Sequence, residues 1–380
     1  SVCGYVCVHP CESRCRRGQL DQAIAIRALK GYIADHAKNK GPKPKTAPPS
    51  GKKVAVVGSG PAGLTAAYYL AKTGGHAVTV FEALPQAGGM MRVGIPRYRL
   101  PAGVLDADIE YIRLAGVEIK TNTRIQSIDE LKKQGFNAVF LAVGSHTGSK
   151  MRVPGEELPG VIDGVTMLRD VALGKKVKVG ERVAVVGGGN SAMDASRTAK
   201  RLGAKQVTVI YRRTKNEMPA DEDEIKEAME EGVKFEFLTN PSKIVKSNGN
   251  LRMTCVRMKL GEEIDESGRR RPEVIPGADI ELDFDTVIPA IGQITEVPPA
   301  IAVEKNKNGT IVANPDTLAT NLEGVFAGGD AVSGPDSVIW AINHGRLAAS
   351  SIDKYLGGKG NIEEKFTEPE IAQPYEAEEG

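Results

Sequence analysis

Val54-Ala-Val-Val-Gly58-Ser-Gly60-Pro-Ala-Gly63 decides the fold of this chain, because the pattern returns as Val183-Ala-Val-Val-Gly187-Gly-Gly189-Asn-Ser-Ala192. Each run reads as an apolar, β-branched strand that turns through glycines into an alanine-rich helical pattern. The first glycine permits the tight strand-to-helix turn. The second lets backbone approach a pyrophosphate, and the third position must be small for the helix to pack on the strand. Unpaired N–H groups at the helix start, aided by the helix dipole, then seat the pyrophosphate. The expected fold class is α/β, with two Rossmann-like dinucleotide-binding domains.

The copies differ where the next strand ends, 24 positions after the first glycine. Copy one ends Val78-Thr-Val-Phe-Glu82, and copy two ends Val207-Thr-Val-Ile-Tyr211-Arg212-Arg213. A carboxylate at Glu82 can accept hydrogen bonds from both hydroxyls of an unphosphorylated ribose and repels a 2′-phosphate. Guanidinium groups match phosphate oxygens in bidentate fashion. The first site is therefore assigned to FAD and the second to NADPH. NADH stays open if the arginines point elsewhere, as at a solvated strand end.

Composition bounds the rest. The 380 residues allow two or three domains. Fifty basic against 48 acidic residues leave a net charge of +2, which gives no reason to expect nucleic acid. No apolar run approaches the roughly 20 residues that span a bilayer, so no membrane partner is expected. The start lacks the apolar segment of a signal peptide, and the expected compartment is the cytoplasm.

Four of the five cysteines, Cys3, Cys7, Cys11 and Cys15, fall in the first fifteen residues. Soft thiolates in that number suit an iron–sulfur cubane, and a proline and glycine interrupt the run. Zinc and free or oxidised thiols remain the alternatives, although the run lacks the two separated Cys pairs of a zinc ribbon. Cys255 reads as a small apolar residue in a strand. No Cys-x-x-Cys lies in the second nucleotide unit, which argues against thioredoxin-reductase chemistry.

Residues 19–40 read as a helix, with Ile26, Leu29 and Ile33 at helical spacing. A proline-rich linker, Gly41–Gly51, closes this module. Phe136–Gly144 and Phe284–Gly292 echo one another as buried strands ending in glycine. They suggest an exit from the first nucleotide domain and a return to it. The expected division is 1–50 as a small helical iron–sulfur module with linker, 51–149 with 286–358 as the FAD domain, 150–285 as an inserted nucleotide domain, and 359–380 as an extended acidic tail. Arg269, Arg270 and Arg271 belong to an expected exposed hairpin loop. A strand ends at Gly328-Gly329-Asp330, and a helix follows from Val338 to Leu356.

The chain resembles the small subunit of bacterial glutamate synthase and its relatives, including the large subunit of NADH-dependent ferredoxin:NADP oxidoreductase. The carriers are Cys3–Gly18, Gly58–Ala67, Gly94-Ile-Pro-Arg-Tyr-Arg99-Leu100-Pro101, Gly187–Asp194, Tyr211–Ala220, Ala290-Ile-Gly-Gln293 and Gly328–Asp330. The resemblance implies that Gly58, Gly60, Gly63 and Glu82 hold the FAD pyrophosphate and ribose. It sets Gly89, Met90 and the segment to Arg99 and Leu100 along the flavin. Gly329 and Asp330 would reach the ribityl chain, and Ser337, Val338 and Ala341 the flavin edge. Gly187, Gly189, Asn190 and Ser191 would hold the NADPH pyrophosphate, with Arg212 and Arg213 on the 2′-phosphate. Cys3, Cys7, Cys11 and Cys15 would ligate [4Fe–4S] iron. Relatives carry a further cysteine run upstream, which implies a longer polypeptide or a partner that completes the ligands.

The implied activity is NADPH oxidation by a flavoprotein that passes electrons through [4Fe–4S] clusters to an electron-accepting subunit or ferredoxin, within a hetero-oligomer. No side chain is expected to act as acid or base, because the cofactors carry the chemistry. The competing readings are a subunit of an electron-bifurcating NADH-dependent ferredoxin:NADP transhydrogenase and a non-catalytic flavoprotein scaffold with a structural metal.

Overall fold

The computed structural model describes residues 1–37, 43–265 and 267–363. The first glycine pattern opens a five-stranded parallel sheet, ordered Val325–Ala327, Ala138–Leu141, Lys53–Val57, Ala77–Phe81, Glu118–Lys120. The second opens a four-stranded parallel sheet, ordered Thr286–Pro289, Arg182–Val186, Gln206–Tyr211, Lys234–Phe237. The near-continuous Val-Ala-Val-Val strands suit this setting, since parallel strands are covered on both faces. Ala55, Val56, Ala184 and Val185 are completely buried.

Gly58 and Gly187 have φ of +107° and +143°. A Cβ on Gly58 would collide with the Ala142 carbonyl oxygen, and one on Gly187 with that of Ala290. The same crossing thus occurs in both units, and it explains the Phe136/Phe284 echo. The two segments are equivalent strands of a duplicated unit. The expected return to the first domain at residue 286 is corrected accordingly: Thr286–Pro289 pairs with Arg182–Val186, register Thr286 to Val183. The chain leaves the second sheet after Pro289. Gln293–Ile294 then pairs with Thr147–Gly148 as a two-stranded link.

Along the chain, between strands Lys234–Phe237 and Thr286–Pro289, comes a three-stranded antiparallel sheet of Thr239–Ser247, Asn250–Ile264 and Arg270–Phe284. Cys255 is buried within it, and burial pushes its thiol up to about 12. It acts as the apolar residue expected.

The N-terminal helix is shorter than 19–40, running Ile26–Ala37, and its Leu29 and Ile33 are exposed. It packs instead through Gly31 against Gly4, where neither position has room for a Cβ without displacement. The end of the expected helix, 38–40, the first two residues of the expected linker, 41–42, and most of the expected acidic tail, 364–380, lie outside the described residues. The C-terminal helix runs Val338–Tyr355, close to expectation. Among the described residues, no helix is long and apolar enough to cross a membrane.

Candidate functional site

Both glycine loops face one cleft of about 1120 Å³, bounded also by the start of the C-terminal helix. A Cβ on Gly60 would meet nothing, and one on Gly189 only the Pro219 ring at 3.9 Å, so both leave backbone free for a ligand. The helices Pro61–Lys72 and Asn190–Arg201 begin at these loops with no side-chain cap. Their first N–H groups therefore point to the cleft unclaimed by side chains. Gly63 lies behind the loop: a Cβ there would strike the Gly58 carbonyl oxygen. Ala192 fills the same role in copy two and is fully buried.

Glu82 is buried at the cleft wall. Its carboxylate accepts from Ser59 N (3.1 Å), Ser59 Oγ (2.5 Å) and Leu84 N (2.8 Å). Gly89 and Met90 line the cleft, and Gly89 lies so close to the first loop that a Cβ would come 2.7 Å from Gly60 Cα. Gly329, Asp330, Val338 and Ala341 close the far side. Burial pushes the Asp330 carboxyl up to about 6. Ser337, the N-cap of the 18-residue helix, has a buried hydroxyl with no hydrogen-bond partner. A long helix start with an orphaned hydroxyl suits a ligand atom that bears negative charge.

In copy two, Gly187, Gly189, Asn190 and Ser191 line the cleft. Asn190 Oδ1 accepts from Asp221 N at 2.8 Å. The Asp221 carboxylate lies 3.2 Å from Arg27 Nη1 and 3.3 Å from His9 Nε2, so the N-terminal module touches this loop's support directly. Arg212 lines the cleft and, among the described residues, makes no ion pair.

Several expected contacts fall elsewhere. Leu100 is 2% exposed and packs in the apolar core behind the cleft, because its neighbours there are Val104, Leu105 and Ile109. Arg99 reaches the cleft edge, yet its guanidinium is committed to Asp194 (Nη1 to Oδ2, 2.8 Å) and Glu224 (Nε to Oε1, 2.5 Å). It ties the Gly94–Pro101 segment of the first unit to the second unit's helices. Arg213 is 3% exposed; it pairs with Asp265 and donates from Nε to the Arg270 carbonyl at 2.8 Å. Arg213 also lines the cleft, but its guanidinium is engaged as a brace for the hairpin, whereas Arg212 is not so engaged. Arg269, treated above as loop, lines the cleft. Its signal was the Arg269–Arg271 run, but only the hairpin's folding back distinguishes Arg269 from its neighbours.

Among the described residues the four N-terminal cysteines are not gathered into one ligand set. Cys7 is buried, Cys11 exposed, and Cys3 and Cys15 intermediate. Among the described residues no three His, Cys, Asp or Glu side chains converge as metal ligands. The physical reason is local: two one-turn helices, Cys3–Val6 and Pro10–Ser13, are separated by an extended Cys7 and a left-handed His9 (φ 39°, ψ 52°). Cys3 and Cys7 still lie within electrostatic reach of each other: burial, then the Cys7 thiol, raises the Cys3 pKa above its ordinary value.

Two nucleotide loops converging on one cleft, with a carboxylate closing one and a guanidinium the other, define a flavin-dependent pyridine-nucleotide oxidoreductase. The chain belongs to the pyridine nucleotide-disulphide oxidoreductase family, whose model matches residues 52–345. It is 36% identical to the glutamate synthase [NADPH] small chain of Escherichia coli, over 93% of this chain and 80% of that one. It is 48% identical to the NADP(+)-dependent formate dehydrogenase subunit beta of Moorella thermoacetica, over 93% of this chain but only 54% of that protein. It thus spans about half the length of that relative. The FprA protein of Mycobacterium tuberculosis, solved in complex with NADPH, shares the fold with a TM-score of 0.69 at 19% identity, over 82% of this chain and 85% of that one.

Proposed function

We propose that this chain binds FAD at the first loop and NADPH at the second, and passes electrons from NADPH to a partner subunit. The observation that carries the reading is the paired geometry: equivalent loops on one cleft, with Glu82 beside the first and Arg212 beside the second. The residues fit FAD. Glu82 would receive the ribose hydroxyls, the uncapped start of Pro61–Lys72 the pyrophosphate, and Asp330 the ribityl hydroxyls. The start of Val338–Tyr355, with the Ser337 hydroxyl, would hold the electron-rich flavin edge. Bound FAD would supply a ring that accepts hydride and releases electrons singly.

The chain's own work is to bind, orient and exclude water. Met90, Met91 and Ile95 form an apolar floor beside the two loops. Arg99 holds the two units in register, which hydride transfer demands because the rings must meet at near-contact distance. Residues 51–149 with 290–358 form the flavin unit in this reading, and 150–289 the NADPH unit. An electron-accepting partner is supported by the relatives, which are named as beta or small subunits. No electron step is assigned to the cysteines.

The test is anaerobic mixing of the FAD-reconstituted protein with NADPH or NADH, followed at the flavin absorbance. Rapid bleaching by NADPH, with NADH slower, is expected. A protein that takes up FAD and is bleached by dithionite but by neither nucleotide would overturn the assignment.

A further inference from the structure

We propose that Arg269, carried on the turn of the antiparallel hairpin, is the second arm of the 2′-phosphate site, so that this hairpin sets the preference for NADPH over NADH. The inference rests on the assignment of the second loop to NADPH. Arg212 and Arg269 enter one cleft from separate elements, the end of strand Gln206–Tyr211 and the turn between Asn250–Ile264 and Arg270–Phe284. Among the described residues neither guanidinium forms an ion pair. Arg269 donates from Nε to Ser267 Oγ (2.8 Å) and from Nη1 toward the Glu217 carbonyl (3.5 Å). The nearby acid, Asp265, is already taken by Arg213 and by Ser267. Burial, then the like charges of Arg213 and Arg269, hold the Arg212 pKa below its ordinary value. Cations gathered against one concave wall whose nearby carboxylate is already engaged are relieved by an anion, and a phosphate can accept from two planar guanidinium groups at once.

The turn is held in place by its own anchors. Arg213 pairs with Asp265 and donates to the Arg270 carbonyl. Arg270 Nη2 pairs with Glu217 Oε1 at 2.8 Å, and the Glu217 carbonyl also accepts from the Tyr211 hydroxyl at 2.7 Å. Strand end, 3₁₀ turn Lys215–Glu217 and hairpin are thus one assembly. Arg213 is its positioning residue, and Arg269 is the side chain it delivers.

The experiment titrates the FAD-loaded protein with 2′,5′-ADP and with 5′-ADP, and measures steady-state reduction of an artificial acceptor by NADPH and NADH. Arg269→Ala should weaken 2′,5′-ADP about 10- to 100-fold and leave 5′-ADP unchanged. KM for NADPH should rise by the same factor at constant kcat, NADH kinetics should hold, and Arg269→Lys should recover part of the loss. Arg271→Ala, on the same hairpin but paired outward with Glu263, should change none of these values. Equal losses with both nucleotides, or none in Arg269→Ala, would overturn the role of Arg269. A wild-type protein that binds 2′,5′-ADP no better than 5′-ADP would instead bring down the NADPH assignment itself.

Discussion

Arg99→Ala removes the tie between the two nucleotide units, and its effect should depend on pH in a direction the structure dictates. Asp194 is 4% exposed, and its carboxylate accepts from Arg99 Nη1 at 2.8 and 3.0 Å. The neighbouring Tyr98 ring carries Arg201 at 3.9 Å and Arg197 at 4.6 Å from its centroid, so the whole contact is a packed, charged seam. Burial raises the Asp194 carboxyl from 3.8 to about 7, with Arg99 opposing that rise. A folded-state pKa above the unfolded value means the protonated form adds stability below 3.8, and this is lost as pH rises through about 7; the full span is ~4 kcal/mol. At pH 8 Asp194 is ionised and depends on Arg99. Without the cation the carboxyl pKa rises further and the buried group takes up a proton, so the deletion costs about 1.4 kcal/mol more at pH 8 than at pH 5, pH 8 being one unit above the wild-type value of about 7. At pH 5 the carboxyl is protonated, and the deletion costs about 1 kcal/mol for the lost hydrogen bonds. Urea unfolding of wild type, Arg99→Ala and Asp194→Asn at both pH values reads this out. Arg99→Ala should be worse at pH 8 than at pH 5 by about 1.4 kcal/mol, and Asp194→Asn should flatten the wild-type pH slope between 4 and 7. A penalty equal at both pH values, or larger at pH 5, would refute the reasoning.

Gly187→Ala should abolish folding of the second unit or cost about 3 kcal/mol or more, since strain at φ +143° adds to the collision with the Ala290 carbonyl; a denaturation midpoint near wild type would contradict the crossing. Glu82→Gln should weaken FAD binding about tenfold, because one charged acceptor becomes a donor beside the ribose. Flavin retained after gel filtration measures it, and unchanged retention would remove Glu82 from the site.

The duplicated sheets were legible because the information is local: β-branched strands, glycine turns and small third positions are read within ten residues. The end of the inserted unit was legible only in part. Phe284–Gly292 announced a buried strand, but which sheet it joins depends on a partner, Arg182–Val186, a hundred positions away. The arginines were legible only in part for the same reason. Arg212 and Arg213 are adjacent and both line the cleft, yet only Arg213 is engaged by a hairpin that arrives about fifty residues later. Arg99 sits in a motif that marks the family, while its partner Asp194 belongs to the other unit's motif. No spacing rule connects them.

The divergence between the copies is more than one exchanged residue. In copy one the middle loop residue is Ser59, whose N–H and hydroxyl both serve Glu82, and whose Oγ also accepts from Gly88 N at 2.9 Å. In copy two that position is Gly188, and a Cβ there would run into the Tyr211 ring. The loop residue and the strand-end residue are therefore matched pairs. A serine requires the carboxylate that it bonds, and the tyrosine requires a glycine to lie against. Once Tyr211 fills the place of the carboxylate, no acid remains to repel a phosphate there, and the ring's hydroxyl is turned away to the Glu217 carbonyl. The charge reversal between the sites thus begins with a steric event at Gly188. Arg212 then adds a cation beside the place from which the anion is missing.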